Sequence, residues 1–224
     1  MTFTYRRNMI DGLSYTYLKA DELKPLLPEV ERLDFTPEPF LGKLTNRAMS
    51  DFGFKYKAVG RELLPAPPFP DWLVMLEATV RACFALSTSA PFQQCIVTRY
   101  LKGAGIGWHC DAPRFGHTIC GVSLGAPGRL QLRSSPVYMT EDGVRKKVEL
   151  PMEYELVTNT GCVYSMSGTA RWNCQHRIVA VKDTRYSLTF RTVNYARGVN
   201  QFTKEPEQPG EIKMTETGWV VTKN

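Results

Sequence analysis

From residue 95 to residue 193, apolar and polar residues alternate in short runs separated by Gly, Pro and Asp: CIVTRYL, HTICGVSLG, RLQLRS, KKVELPM, ELVTNTGCVYSMSG, HRIVAV and RYSLTFRTV. A period of two over runs this short predicts strands, and many such strands in succession predict an all-β sandwich or barrel. The intervals between them leave no room for the helices that a nucleotide-binding α/β fold would need. The chain ahead of them reads differently. In DELKPLLPEVERL, residues 21–33, leucines recur at helical spacing behind Asp21 as N-cap, and Pro25 and Pro28 make that helix short or interrupted. Residues 36–72 are rich in aromatics and proline; alternation of Phe52, Phe54 and Tyr56 predicts a strand or hairpin, and Pro65, Pro67, Pro68 and Pro70 predict an extended connector. DWLVMLEATVRACFALS, residues 71–87, has apolar residues at helical spacing behind Asp71 and predicts the longest helix. From Ala196 to Asn224 the chain is polar with little periodicity, which predicts a tail that drapes over the domain or is partly disordered. There is no internal repeat and no low-complexity tract. These textures divide the chain into an N-terminal segment (1–94), a β core (95–195) and a tail (196–224), all within one domain.

Length and composition agree with that division. A chain of 224 residues with 43% hydrophobic content buries one substantial core. The 28 Lys and Arg against 22 Asp and Glu give a net charge of +6 and a pI near 9.0, which favours a polyanionic partner such as nucleic acid. The six cysteines show no Cys-x-x-Cys spacing, which excludes a zinc ribbon and a thioredoxin-like motif and argues against a disulfide framework. MTFTYRRNMIDGLSY lacks the continuous apolar run of a secretory signal, and no stretch approaches the roughly 20 apolar residues that span a bilayer. The expectation is a monomer in a reducing compartment, the cytoplasm or a eukaryotic nucleus, with no membrane partner.

Candidate chemistry sharpens the picture. In GIGWHCDAP, His109 and Asp111 leave the same face of an extended strand while Trp108 and Cys110 leave the other. His176, in WNCQHRIV, lies on a separate strand that a jelly roll brings alongside. Two imidazoles and one carboxylate occupy one face of an octahedral ion and leave positions open for a bidentate co-substrate and dioxygen, the facial triad of non-haem Fe(II) oxygenases. His-x-Asp alone arises often by chance; here two of only three histidines fall at triad positions. The third, His117, is expected to be structural or at the surface.

In RYSLTFR, Tyr186, Leu188 and Phe190 share one strand face, and Arg185, Ser187, Thr189 and Arg191 share the other. Six residues span roughly 20 Å, and guanidiniums leaning inward by about 6 Å each leave roughly 8 Å between their heads, a gap that suits a small dicarboxylate. An isolated pair of this kind would more often mark a solvated face; beside a completed triad it points to a co-substrate site.

TRYLKGAGIGWHCD, GVSLG, SGTARWNCQHRI and RYSLTFR, in this order, closely resemble the AlkB family of Fe(II)- and 2-oxoglutarate-dependent dioxygenases, over about residues 95–193. The resemblance implies a mainly β fold with flanking helices, a double-stranded β-helix (jelly-roll) core and an N-terminal substrate-recognition lid. It implies Fe(II) held by His109, Asp111 and His176, Arg185 paired with the distal carboxylate of 2-oxoglutarate and assisted by Tyr100, and Arg191 near the other end. Thr98 and Ser187 take co-substrate-contacting positions where many members carry asparagine, and Pro113 stands where the bacterial repair archetype has an acidic residue, so base preference does not transfer. NRAMSDFGFKY resembles the family's lid and nominates Arg47, Phe52 and Tyr56, with Trp108, as substrate contacts; an aromatic face holds an unstacked base for about 1–3 kcal/mol. The equal alternative for Phe52, Phe54 and Tyr56 is the core of a hairpin. The implied activity uses Fe(II), 2-oxoglutarate and O2 to demethylate or hydroxylate a modified nucleobase in DNA or RNA. The same chemistry on a protein or small molecule, and a non-catalytic metal-binding jelly roll, stand beside it, because fold and triad do not fix substrate.

Overall fold

The first half of the chain contributes strands to the β framework as well as helices to its flank. The computed structural model describes residues 6–7, 10–40, 43–57, 62–141, 144–148, 154–193, 211–215 and 218–222. Strands β1 (Arg6–Arg7) and β2 (Leu13–Tyr17) precede helices α1 (Ala20–Leu23) and α2 (Leu26–Glu31), separated at Pro25 as the sequence predicts. Lys19 rather than Asp21 is the N-cap: its backbone N–H donates to the Glu22 carboxylate at 2.7 Å, and Asp21 lies inside the first turn. Strands β3 (Thr36–Phe40) and β4 (Lys43–Phe52) form an antiparallel pair. At Gly53 the chain takes φ +72° and turns into β5 (Phe54–Lys57), which pairs with β6 (Glu62–Pro65). A Cβ at Gly53 would meet the Gln93 carbonyl oxygen at 2.0 Å, so only glycine fits this turn. The extended connector therefore shrinks to residues 66–70. Helix α3 (Asp71–Cys83) is capped by Pro70, with Asp71 in the first turn, and ends short of residue 87 where Ala85 adopts φ +50°.

The predicted strands follow, joined by a strand β11 and a short helix α4 that the alternation did not single out: β7 (Gln94–Tyr100), β8 (Ile106–His109), β9 (Phe115–Gly125), β10 (Gly128–Ser134), the hairpin β11 (Val137–Glu141) and β12 (Val144–Val148), β13 (Tyr154–Thr158), β14 (Cys162–Met166), α4 (Gly168–Trp172), β15 (Cys174–Ile178) and β16 (Arg185–Val193). The run ELVTNTGCVYSMSG is thus two strands, divided at Gly161 with φ +80°. The end of KKVELPM, residues 149–152, lies outside the described residues, as do residues 196–210 of the tail. The rest of the tail is more regular than its polarity suggests: β17 (Glu211–Thr215) and β18 (Gly218–Thr222) form a hairpin.

Two antiparallel sheets face each other. The larger has the order β1-β2-β14-β9-β16-β7-β4-β3 and the smaller β13-β10-β15-β8. On one side of the large sheet, Val97, Val122, Leu188 and Phe190 pack with Val30 of α2 and Leu73, Leu76 and Val80 of α3. Between the sheets, Tyr100, Ile119, Leu130, Leu132 and Ile178 form a second core. Each fully buried aliphatic side chain contributes about 1.5–3 kcal/mol. With both faces covered, the polar side of β16 points into the molecule rather than into water, and that is where the chemistry lies. Of the six cysteines, five are buried thiols and Cys110 is exposed; none forms a disulfide.

Candidate active site

His109 and His176 are cross-strand partners in β8 and β15, with ring centroids 4.2 Å apart. The register between these strands shifts, two residues of β15 spanning three of β8. That bulge lets Ile106 and His109 both face the inter-sheet space while Trp108 turns to the outer face. His109 directs Nδ1 at the Gly107 carbonyl, 2.8 Å away, which fixes the tautomer and leaves the Nε2 lone pair available. Asp111 reaches the same point by another route than the sequence suggests. Strand β8 ends at His109, and Asp111 belongs to the following loop. Its carboxylate is buried, with Oδ2 3.4 Å from His176 Nε2 and Oδ1 held by Arg191 Nη2. Among the described residues no three His, Cys, Asp or Glu side chains are already closed around one point as a finished cage. What the chain supplies is two facing imidazoles and a carboxylate with one oxygen anchored and the other turned toward them.

The electrostatics suit a dication. Burial acts to raise the Asp111 carboxyl, but Arg191 above all, with His176 and His109, outweighs it and holds the group well below the usual carboxylate range. Burial pushes the His176 imidazole down to about 3, His109 and Arg191 acting in the same direction and Asp111 against it. An ionised carboxylate and a neutral imidazole are the forms that bind metal.

The loop carrying Asp111 is held by a residue that sequence reasoning left without a role. Arg171 of α4 is buried and donates to the carbonyls of Asp111 (3.2 Å), Ala112 (2.9 Å), Phe115 (3.2 Å) and Gly116 (3.3 Å). Gln94 was missed as well. Wholly buried, it accepts from Arg191 Nη1 at 3.3 Å and donates to the Phe54 carbonyl at 3.1 Å, joining β5 to the arginine that holds Asp111. No spacing motif signals either residue, because both act on partners distant in sequence.

Arg185 forms the second half of the site. It is wholly buried and reaches across the inter-sheet space, donating through Nη2 to Ser123 Oγ at 2.8 Å and to Thr158 Oγ1 at 3.4 Å, with its Cζ 5.3 Å from the Tyr100 ring. Its Nε and Nη1 have no hydrogen-bond partner. A buried guanidinium with two unmet donors is costly unless an anion completes it, and a carboxylate supplies the acceptor oxygens. Gly128 makes the room, since a Cβ there would lie 2.4 Å from Arg185 Nε. Burial raises the Tyr100 phenol, with Arg185 and Arg47 opposing, and keeps it protonated as a donor. Ser187 and Thr98 are buried cross-strand partners on the same side of the sheet.

The nominated substrate contacts separate. Arg47 pairs in register with Tyr100, which pairs with Arg185, so the three share the site face of the large sheet. Tyr56 is half-buried and packs edge-on against Phe115 at 5.5 Å, and Phe115 lies under Arg191. Phe52 does not join them. It pairs with Cys95 and sits in the helix-side core, edge-on to Trp72, because its strand parity is opposite to that of Arg47. Trp108 also faces away from the metal candidates, on the outer face of the small sheet beneath Arg133 and Arg177. His117 is exposed and packs edge-on to Trp172, in the surface role expected of it.

A jelly-roll pair of sheets with these polar groups between them defines a class of protein, and comparison names it. A family model described as the 2OG-Fe(II) oxygenase superfamily matches residues 38–192, and the chain belongs to that superfamily, which uses Fe(II), 2-oxoglutarate and O2. Among solved structures, OsALKBH1 is similar with a TM-score of 0.59 and 18% identity, over 85% of this chain and 100% of that one. A Pseudomonas putida prolyl-4-hydroxylase has a TM-score of 0.53 and 17% identity, over 82% and 93%. At these identities the likeness is one of fold, and it is the double-stranded β-helix of 2-oxoglutarate oxygenases. No curated protein matches. The AlkB resemblance of the motifs thus stands beside a superfamily assignment and an AlkB homologue of like fold. Among the described residues no helix is long and apolar enough to cross a membrane.

Proposed function

We propose that this 2-oxoglutarate oxygenase acts on modified nucleobases in DNA or RNA, removing or hydroxylating an alkyl group. The observation that carries this reading is the half-buried Tyr56, packed edge-on against the buried Phe115 that lies under Arg191, whose other side holds Asp111: the Tyr56 ring offers a planar base a stacking face beside the candidate metal ligands. The basic net charge of +6 and the ordered AlkB-like motifs support it.

In this proposal His109 through Nε2, Asp111 through Oδ2 and His176 hold the iron. Fe(II) bound there supplies the activation of O2 that converts 2-oxoglutarate to succinate and CO2 and places an oxygen atom on a substrate carbon. Arg185 takes one carboxylate of 2-oxoglutarate with its two unmet donors, and Tyr100 closes the same end. Arg191 keeps Asp111 Oδ1 occupied, so that one carboxylate oxygen faces the metal. Arg47, three strands across from the Ser123 that orients Arg185, adds positive charge to the site face. Thr98 and Ser187 line that face with hydroxyls. Burial of the Arg185 end excludes water from the co-substrate. Where the hydroxylated carbon is an N-methyl group, the product collapses to formaldehyde and the unmodified base.

The test is succinate release by anaerobically iron-loaded protein given O2, 2-oxoglutarate and, in turn, methylated single-stranded DNA, methylated duplex DNA and bulk transfer RNA. Stimulation by one of these is expected and names the polymer. Slow succinate release that no nucleic acid stimulates would overturn the substrate class. His109→Ala, Asp111→Ala and Arg185→Ala should each abolish turnover, and full activity in any of them would sink the assignment of the site.

A further inference from the structure

The β5–β6 hairpin is fastened to the site by its backbone as well as by Tyr56. At its base the Gly53 N–H donates to the Pro67 carbonyl at 2.7 Å and the Ala66 N–H donates to the Gly53 carbonyl at 3.0 Å. Bonded and non-bonded pairs alternate along an antiparallel ladder, so the next residue, Phe54, turns its carbonyl away from β6, and Pro65 opposite it has no N–H to offer. That carbonyl accepts from Gln94 Nε2 at 3.1 Å, and Gln94 Oε1 accepts in turn from Arg191 Nη1 at 3.3 Å. Both Phe54 and Gln94 are wholly buried. Arg191 Nη2 donates to Asp111 Oδ1, while its Nε has no hydrogen-bond partner, so the two ends of its guanidinium belong to Gln94 and Asp111. The neighbouring residue ties down the same strand end: the Gln93 N–H donates to the Arg191 carbonyl at 3.0 Å, and Gln93 Oε1 accepts from the Val193 N–H at 2.7 Å. A side-chain amide carries a donor and an acceptor on one terminus, which is what serving a carbonyl and an arginine together requires; methionine offers neither and an ionised glutamate only accepts.

We propose that Gln94 is a positioning residue that couples the β5–β6 hairpin to Asp111, so that occupancy of the metal site and order in the hairpin that carries Tyr56 rise together. The proposal rests on the reading of Asp111 as a metal ligand and is independent of the kind of substrate. Asp111 can still swing about its bond to Arg191 while Oδ2 is unengaged; with Oδ2 on a metal, the carboxylate, the guanidinium, the Gln94 amide and the Phe54 carbonyl each lose freedom in turn. The contact of Tyr56 with Phe115, whose ring centroid lies 4.6 Å from Arg191 Cζ, runs beside this chain of hydrogen bonds and ends on the same arginine. Coupling of this kind is reciprocal, so a substrate that orders the hairpin tightens metal binding by the factor with which the metal orders the hairpin.

The experiment is amide hydrogen exchange on the whole chain under anaerobic conditions, with and without saturating Mn(II) and 2-oxoglutarate, the saturation being fixed by calorimetry. Hairpin amides exchange through local opening, which a distant ligand alters only if it is coupled to that opening. In the wild-type protein the two ligands together should slow exchange in peptides covering β5 by about fivefold or more, while α1, which buries no residue, is unchanged. Gln94→Met should remove the slowing in β5 at ligand concentrations that still saturate it. A merely structural defect would speed exchange in β5 with and without ligands alike and leave the difference between them intact. Gln94→Glu at pH 8, ionised beside Arg191, keeps an acceptor for the arginine and loses the donor to Phe54; it should abolish the slowing too, and it gives the same reading should the methionine variant not fold. Wild-type protein that binds Mn(II) without slower exchange in β5 would overturn the coupling and leave the metal site standing. Slowing of wild-type size in either folded variant would overturn the part assigned to Gln94. Failure of the wild-type protein to bind Mn(II) at all would remove the reading of the site, and this proposal with it.

Discussion

At the scale of single residues, the site depends on side chains that never touch the reactants. Arg171 holds two carbonyls of the loop that presents Asp111 and two at the start of β9, where that loop ends. Supports of this kind are worth about 10–100-fold in metal affinity. Arg171→Met should accordingly raise the iron concentration for half-maximal turnover by at least tenfold, with 2-oxoglutarate binding by the folded protein changed far less. A calorimetric titration of each component separates the two. The titrating groups make a second prediction. In metal-free protein the His176 imidazole is pushed down to about 3 by burial, His109 and Arg191, against about 6.5 in an unfolded chain. Below about pH 6.5 the unfolded state binds the extra proton and stability falls with pH. Asp111, held low chiefly by Arg191 once burial is outweighed, removes stability in the same direction at lower pH. Melting temperature of the metal-free protein should be level above about pH 7 and decline toward pH 4, and the decline should begin later in His176→Gln. A rise on acidification would contradict the buried neutral imidazole.

At the scale of elements, the small sheet makes room for the co-substrate's arginine. Gly128 opens β10 directly against Arg185, where a Cβ would sit 2.4 Å from Nε, 2.9 Å from Cδ and 2.9 Å from Thr158 Oγ1. Gly128→Ala must push the guanidinium off Thr158 and Ser123. The expected result is a KM for 2-oxoglutarate raised tenfold or more with a smaller change in kcat, read from succinate formation at saturating nucleic acid. An unchanged KM would show that Arg185 does not set co-substrate affinity. The bulge between β8 and β15 is the other element-scale device. Without it, Ile106 and His109 could not both face inward, and the two histidines would not meet.

At the scale of the whole molecule, the two sheets bring together groups far apart in sequence, and ligands that bridge them should stabilise the fold cooperatively. In the proposed site Fe(II) would be held by residues of β8, its following loop and β15, and 2-oxoglutarate by β16 of the other sheet. Adding both should raise the melting temperature by more than the sum of the separate increments; a ligand at 100 times its Kd contributes about 2.7 kcal/mol. Simple additivity, or no shift with Fe(II) and 2-oxoglutarate together, would argue against a shared site.

Much of this was legible in the chain. Strand periodicity is local, set by which residues prefer a pleated, half-buried surface, so the β core and the two faces of RYSLTFR could be read directly. Motif order identified His109, Asp111, His176, Arg185 and Arg191, and the fold brings them between the sheets. Non-local contacts were not legible. Phe52 reads like a partner of Phe54 and Tyr56, but the left-handed turn at Gly53 breaks the alternation and strand parity sends Phe52 into the helix-side core. Arg171 and Gln94 act on main-chain carbonyls and on an arginine many tens of residues away, which no local pattern encodes. By itself the sequence determined the period, the donor types and their order. Only the tertiary structure decided which faces meet, because that depends on how sheets pack and where bulges and glycine turns change parity.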